Sequence, residues 1–84
     1  MTKDEIRRAT MAALKVHMQA NNARFAVLCE LCIFAGYAMY AAHLGDRAET
    51  RRWLHEAASA EDLLCGGSTF LGPLTKVLDA EAAE

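Results

Sequence analysis

FAVLCELCIFAGYAMYAAHL, residues 25–44, carries one formal charge, Glu30, in twenty positions. No proline interrupts it, and it runs into Gly45, a residue suited to the left-handed conformation that closes a helix. The segment therefore predicts a helix from Ala23 to Leu44. Its apolar side chains surround the axis instead of forming a stripe. A helix apolar all round must be covered by the rest of a bundle, by an oligomer or by a bilayer.

Upstream, Thr2 and Glu5 have the spacing of a capping box, in which each side chain satisfies the other's free backbone N–H. They predict a first helix from Lys3 to Ala20. Ile6, Ala9, Ala13, Val16 and Ala20 form its apolar stripe, with Leu14 and Met18 beside it. Asn21-Asn22 predicts a break with Asn22 capping the next helix, or a kink in a continuous one. Downstream, Asp46 and Glu49 form a second capping box and open a third helix, Arg47 to Leu64. Thr50, Trp53, Leu54, Ala57, Ala60 and Leu64 are its buried face. Arg51, Arg52, His55, Glu56, Ser59 and Asp62 point outward. Gly66-Gly67 stops it. After a short linker, Pro73 suits the first position of a fourth helix, 73–83, with Leu74, Val77 and Leu78 inward and Phe70 or Leu71 stapling its start. The expected fold is a single all-α domain over residues 1–84. It is a three- or four-helix antiparallel bundle with a central, nearly all-apolar helix, and it is dimeric.

Within this pattern, Leu44-Gly45-Asp46 matches the turn of a tetratricopeptide-repeat hairpin, and Ala38, Leu54 and Ala57 fall where that repeat places small or apolar residues. Residues 34–57 resemble one such unit, which implies an antiparallel pairing of the second and third helices. Thr50 stands where the repeat has alanine, and no proline closes the hairpin. Only one unit is present, whereas such arrays stack three or more.

Composition narrows the function classes. An 84-residue domain buries about 60% of the surface of its unfolded chain. Hydrophobic residues make up 54%, above the roughly 45–50% of a typical soluble domain. Self-association is a common source of the missing burial. Nine basic and eleven acidic residues give a formal charge of −2, which argues against nucleic acid as a partner. Three cysteines do not suit a disulfide framework, and their apolar neighbours predict buried free thiols in a reducing cytoplasm. The charges spread through the first 24 residues predict no cleavable signal peptide.

Little in the sequence suggests chemistry. Cys29 and Cys32 have redox or zinc spacing, yet they lie well inside an apolar helix and lack a second ligand pair. His43 fits a helix C-terminus, where its cation would cap free carbonyls. His17 is expected to be partly buried and His55 solvated. No His-rich or Ser/His/Asp signature is present, and Gly66-Gly67-Ser68-Thr69 lacks the lysine and glycine spacing of a phosphate loop. No catalytic site, metal or cofactor is expected.

The expectation is a cytoplasmic, non-enzymatic protein-binding module acting sterically: an adaptor, a chaperone-like protein, or a small inhibitor or regulator of the phage or mobile-element type. Candidate partner-binding residues are Arg47, Arg51, Arg52 and His55 on the third helix, since arginine is enriched in binding hot spots. Glu30 joins them. It pairs with Arg24, Arg51 or Lys15, or lies on an exposed strip, and its functional reading is that it anchors a partner or fixes a dimer's register. The expected partner is another protein or a second copy. The alternative is a small membrane protein with residues 25–44 in the bilayer, since twenty residues match a core about 30 Å thick. A small DNA-binding regulator ranks lower.

Overall fold

A computed structural model describes residues 1–19 and 24–83. Ala20, the Asn21-Asn22 junction, Ala23 and Glu84 lie outside the described residues, as do the side chains of His17, Met18 and Gln19. Four helices follow in order: α1 (Lys3–Gln19), α2 (Phe25–Leu44), α3 (Arg47–Cys65) and α4 (Gly72–Ala83). They pack against one another as a small all-α bundle.

The helix boundaries follow from local chemistry. At α1, Thr2 N–H donates to Glu5 Oε1 at 3.2 Å and Glu5 N–H donates to Thr2 Oγ1 at 3.3 Å, the reciprocal pattern that the spacing predicts. The α2–α3 turn needs two residues. Gly45 adopts φ 76°, its N–H bonds Ala42 O at 3.1 Å, and Asp46 N–H bonds Ala41 O at 3.0 Å. These are the paired bonds of a Schellman ending. Backbone N–H groups, not His43, therefore cap the last carbonyls of α2. Asp46 Oδ1 then accepts from Glu49 N–H at 3.1 Å to start α3. The expected box is only half formed there. The Asp46 N–H is already used, so Glu49 turns to Trp53, accepting from its Nε1–H at 3.0 Å.

α2 and α3 form the main hairpin, with α1 against α2 and α4 against α3. Arg24 Nη1–H donates to Leu63 O at 3.3 Å at one end of the pair, and Phe34 and Tyr37 meet Trp53 near its middle. Residue numbers rise on one helix as they fall on the other, so the two run antiparallel. The core is built on Ile6, Leu31, Ala35, Ala38, Leu54, Ala57, Leu71 and Leu78. Small residues on α2 and α3 let these helices approach closely.

Two inward faces differ from expectation. On α1, Ile6, Thr10 and Ala13 are buried while Val16 is exposed. Thr10 tolerates burial because its hydroxyl donates to Ile6 O at 2.8 Å. On α4, Thr75 and Leu78 point inward and Val77 outward. Thr75 Oγ1–H donates to Gly72 O at 2.6 Å, which satisfies its hydroxyl in the same way.

Candidate functional site

α2 is long, apolar and only partly covered. Leu31, Ala35, Ala38 and Ala41 are its buried residues, and 22% of its most apolar window is buried. On the opposite side, Ala26, Glu30, Ile33, Tyr37, Tyr40 and Leu44 are all exposed. Their spacing is 4-3-4-3-4, which keeps them on one line along a helix. Ile33, Tyr37, Tyr40 and Leu44 are each more than half exposed. Phe25, Met11 and Leu63 add exposed apolar surface elsewhere. Chain-internal packing thus accounts for one side of the apolar helix and leaves the other bare.

Glu30 lies in this bare face and is exposed. Among the described residues its carboxylate forms no ion pair, so pairing with Arg24, Arg51 or Lys15 is not what holds it. Solvent does, as the strip reading of the sequence implies.

On α3, two of the four basic candidates are tied to α4. Asp79 Oδ1 accepts from Arg51 Nε at 2.7 Å and lies 2.8 Å from His55 Nε2. Hydrogen bonds from His55 and then Arg51 hold the Asp79 carboxyl below its usual range. Arg52 lies over the Trp53 ring, 4.7 Å from its centroid, and 3.6 Å from Glu49. Trp53 itself stacks on Phe34 at 5.8 Å and meets the tilted Tyr37 ring at 4.7 Å. Arg47 is exposed beside a small depression shared with Arg51, Leu78 and Glu81. The α3 candidates therefore divide. Arg51, Arg52 and His55 serve contacts within the chain, Arg47 faces solvent, and Glu30 sits on a different helix.

The residue that sequence reasoning missed is Glu61. It is completely buried, yet every contact suits a carboxylate. Oε1 accepts from Ser68 Oγ–H and from Leu71 N–H, both at 2.8 Å, and Oε2 accepts from Phe70 N–H at 3.0 Å. These donors belong to the linker between α3 and α4, so one side chain folds that turn. A signal was present. Thr50, Leu54, Ala57 and Glu61 are spaced 4-3-4, placing Glu61 on the inward stripe just before a loop rich in free N–H groups.

The thiols also differ from expectation. Cys32 and Cys65 are exposed and Cys29 is half-buried, because the uncovered side of α2 and the last residue of α3 carry them. Desolvation and the neighbouring Glu61 carboxylate raise the Cys65 thiol pKa, so this cysteine is not an activated nucleophile. No cluster of three metal-ligating side chains occurs among the described residues. A depression of about 690 Å³ forms an open groove between α3 and α4, lined by His55, Ser59, Asp62, Ser68 and Lys76 among others. Ser68 Oγ is already committed to Glu61 and His55 Nε2 to Asp79. No family model, curated protein or solved structure matches the chain.

Proposed function

We propose that this chain is a non-enzymatic protein-binding module whose contact surface is the outer face of α2. It acts sterically: the preformed helix covers a functional surface of its partner, as an adaptor, chaperone-like protein or small inhibitor would. The observation that carries this reading is the single line of exposed side chains containing Ile33, Tyr37, Tyr40 and Leu44. Tyrosine supplies large contact area with a polar tip and is enriched at protein interfaces. Glu30 in the same line supplies specificity, since a partner must present a donor to it. The α3 cluster proposed from sequence is secondary, because three of its members already bind within the chain.

A comparison of baits in the native host tests this. Ile33→Asp with Tyr40→Asp alters α2, and Arg47→Glu alters α3. The expected result is a stoichiometric partner that Arg47→Glu retains and the α2 variant loses, with unchanged helical circular dichroism for both. A partner lost only with Arg47→Glu would move the site to α3 and overturn the proposal.

A second reading has one observation in its favour. α2 is long enough to span a bilayer and has a mean hydropathy of 1.7. Against it, α3 runs antiparallel alongside and exposes Arg47, Arg51, Arg52, Glu56 and Asp62. A span by α2 would carry these charges toward hydrocarbon, at about 2.5–3.5 kcal/mol for each at the centre, or dismantle the hairpin.

A further inference from the structure

We infer that the outer face of α2 docks on the same face of a second copy, antiparallel, about a two-fold axis at the level of Ala35. The inference rests on the reading of that face as the binding surface and names its occupant. Its first support is the pattern itself. Ala26, Glu30, Ile33, Tyr37, Tyr40 and Leu44 have the a/d spacing of a coiled-coil seam over about 27 Å of helix. The 4-3-4-3-4 order reads the same from either end, so the stripe meets itself when one copy is reversed. A two-fold interface requires that self-complementarity.

The second support is what the reversal places opposite what. Ala26 faces Leu44, Glu30 faces Tyr40 and Ile33 faces Tyr37, so each layer pairs a smaller side chain with a larger one. The Glu30 carboxylate meets the Tyr40 hydroxyl, a donor, with His43 on the same turn. In a parallel pairing, Glu30 would instead face Glu30 and the two carboxylates would repel. Avoidance of that repulsion, together with the Tyr40 donor, therefore selects the antiparallel arrangement.

The third support is Gly36. A glycine inside a helix costs about 0.5–1 kcal/mol relative to alanine. Among the described residues nothing requires this one, since a Cβ there would meet no atom within 4 Å. It borders the seam one residue from the axis, where its own symmetry mate is closest and the two backbones approach. The area fits a weak, concentration-dependent dimer rather than a standard-sized interface. With aromatic side chains carrying about 150–250 Å² each, the face offers several hundred Å² per copy. A standard interface takes roughly 800 Å² from each partner.

Crosslinking in a background with Cys29→Ala, Cys32→Ser and Cys65→Ser tests occupant and register together. Ala26→Cys and Leu44→Cys are made as separate chains, one carrying a mass tag, then mixed and oxidised. Both positions are exposed, so folding is checked by circular dichroism only. The expected product is the 26–44 heterodimer, with few 26–26 or 44–44 links. The dimer dissociation constant should rise about 30-fold or more with Ile33→Asp. A dominant 26–26 product would overturn the antiparallel register while leaving the α2 face as the interface. A dimer insensitive to Ile33→Asp would overturn the face as well. A monomer at every concentration would overturn the second copy as occupant, leaving the host-bait comparison to judge the face itself. Uptake into phosphatidylcholine vesicles would overturn both readings.

Discussion

Glu30 and Glu61 are two carboxylates in helices that build one small core, and their surroundings are opposite. Glu30 stands in the most apolar segment of the chain and is exposed. Glu61 stands in the more polar α3 and is wholly buried, with three donors around it. The contrast teaches that composition of a helix does not decide which of its charges leave water. Position on the packing stripe decides it, together with donors that need an acceptor. Around Glu61 the chain completes its own hydrogen bonding, and the region is closed. Around Glu30 the chain leaves an apolar face uncovered, and the region is open. The closed region holds the fold together, and the open one is available to a partner.

Substitutions can break or sharpen this contrast. The largest effect is expected at Glu61→Ala. It removes the acceptor of a buried backbone N–H, a part-buried one and a part-buried hydroxyl, and should destabilise folding by about 3 kcal/mol. Chemical denaturation reads that as a lower midpoint, and Glu61→Gln, which keeps one carbonyl oxygen, should lose less. Equal stability of Glu61→Ala and wild type would show that the α3–α4 turn does not depend on the buried carboxylate.

Next comes Gly36→Ala, measured in the Ile33→Asp background so that association does not contribute. The added methyl meets nothing among the described residues, so thermal unfolding should show a gain of about 0.5–1 kcal/mol. A loss would mean that Gly36 has a role inside the monomer and gives no support to a close approach between copies.

Asp79→Asn should have a smaller effect, limited by the exposure of the Arg51–Asp79–His55 cluster. The folded carboxyl titrates below its unfolded counterpart. Its stabilisation is therefore complete above the unfolded carboxylate range near about pH 4 and disappears as pH falls through the lower folded value. Melting temperatures measured from neutral to acid pH should show a shallower acid decline for Asp79→Asn than for wild type. The smallest effect is expected at Glu30→Gln. In a monomeric background its change should fall within about 0.5 kcal/mol, as for an ordinary surface site. A larger loss would place Glu30 in an internal contact and erase the contrast with Glu61.

Much of the architecture is legible in the chain because local chemistry sets it. Thr2 with Glu5, Gly45 with Asp46, and Gly66 with its left-handed φ of 71° mark helix ends that need no distant information. The apolar run of α2 identifies the helix but not its covered side. An all-round apolar pattern carries no directional signal, so only packing against α1 and α3 reveals which line is left bare. The internal contacts of the exposed α3 cluster are hidden for a related reason. Arg51 and His55 look solvated on a helical wheel, yet Asp79 lies more than twenty positions away and arrives only when α4 folds back. Glu61 is intermediate: its spacing with Thr50, Leu54 and Ala57 marks an inward position, but its donors become countable only once the linker is in place.

The central claim is that protein covers the open face of α2. Molar mass in detergent-free buffer, followed by sedimentation equilibrium from about micromolar to hundreds of micromolar, addresses it directly. The account predicts a concentration-dependent rise to twice the 9.2 kDa of one chain, abolished by Ile33→Asp with helicity intact. Wild-type protein that stays in solution only with detergent, or whose mass is unaffected by Ile33→Asp, would contradict it.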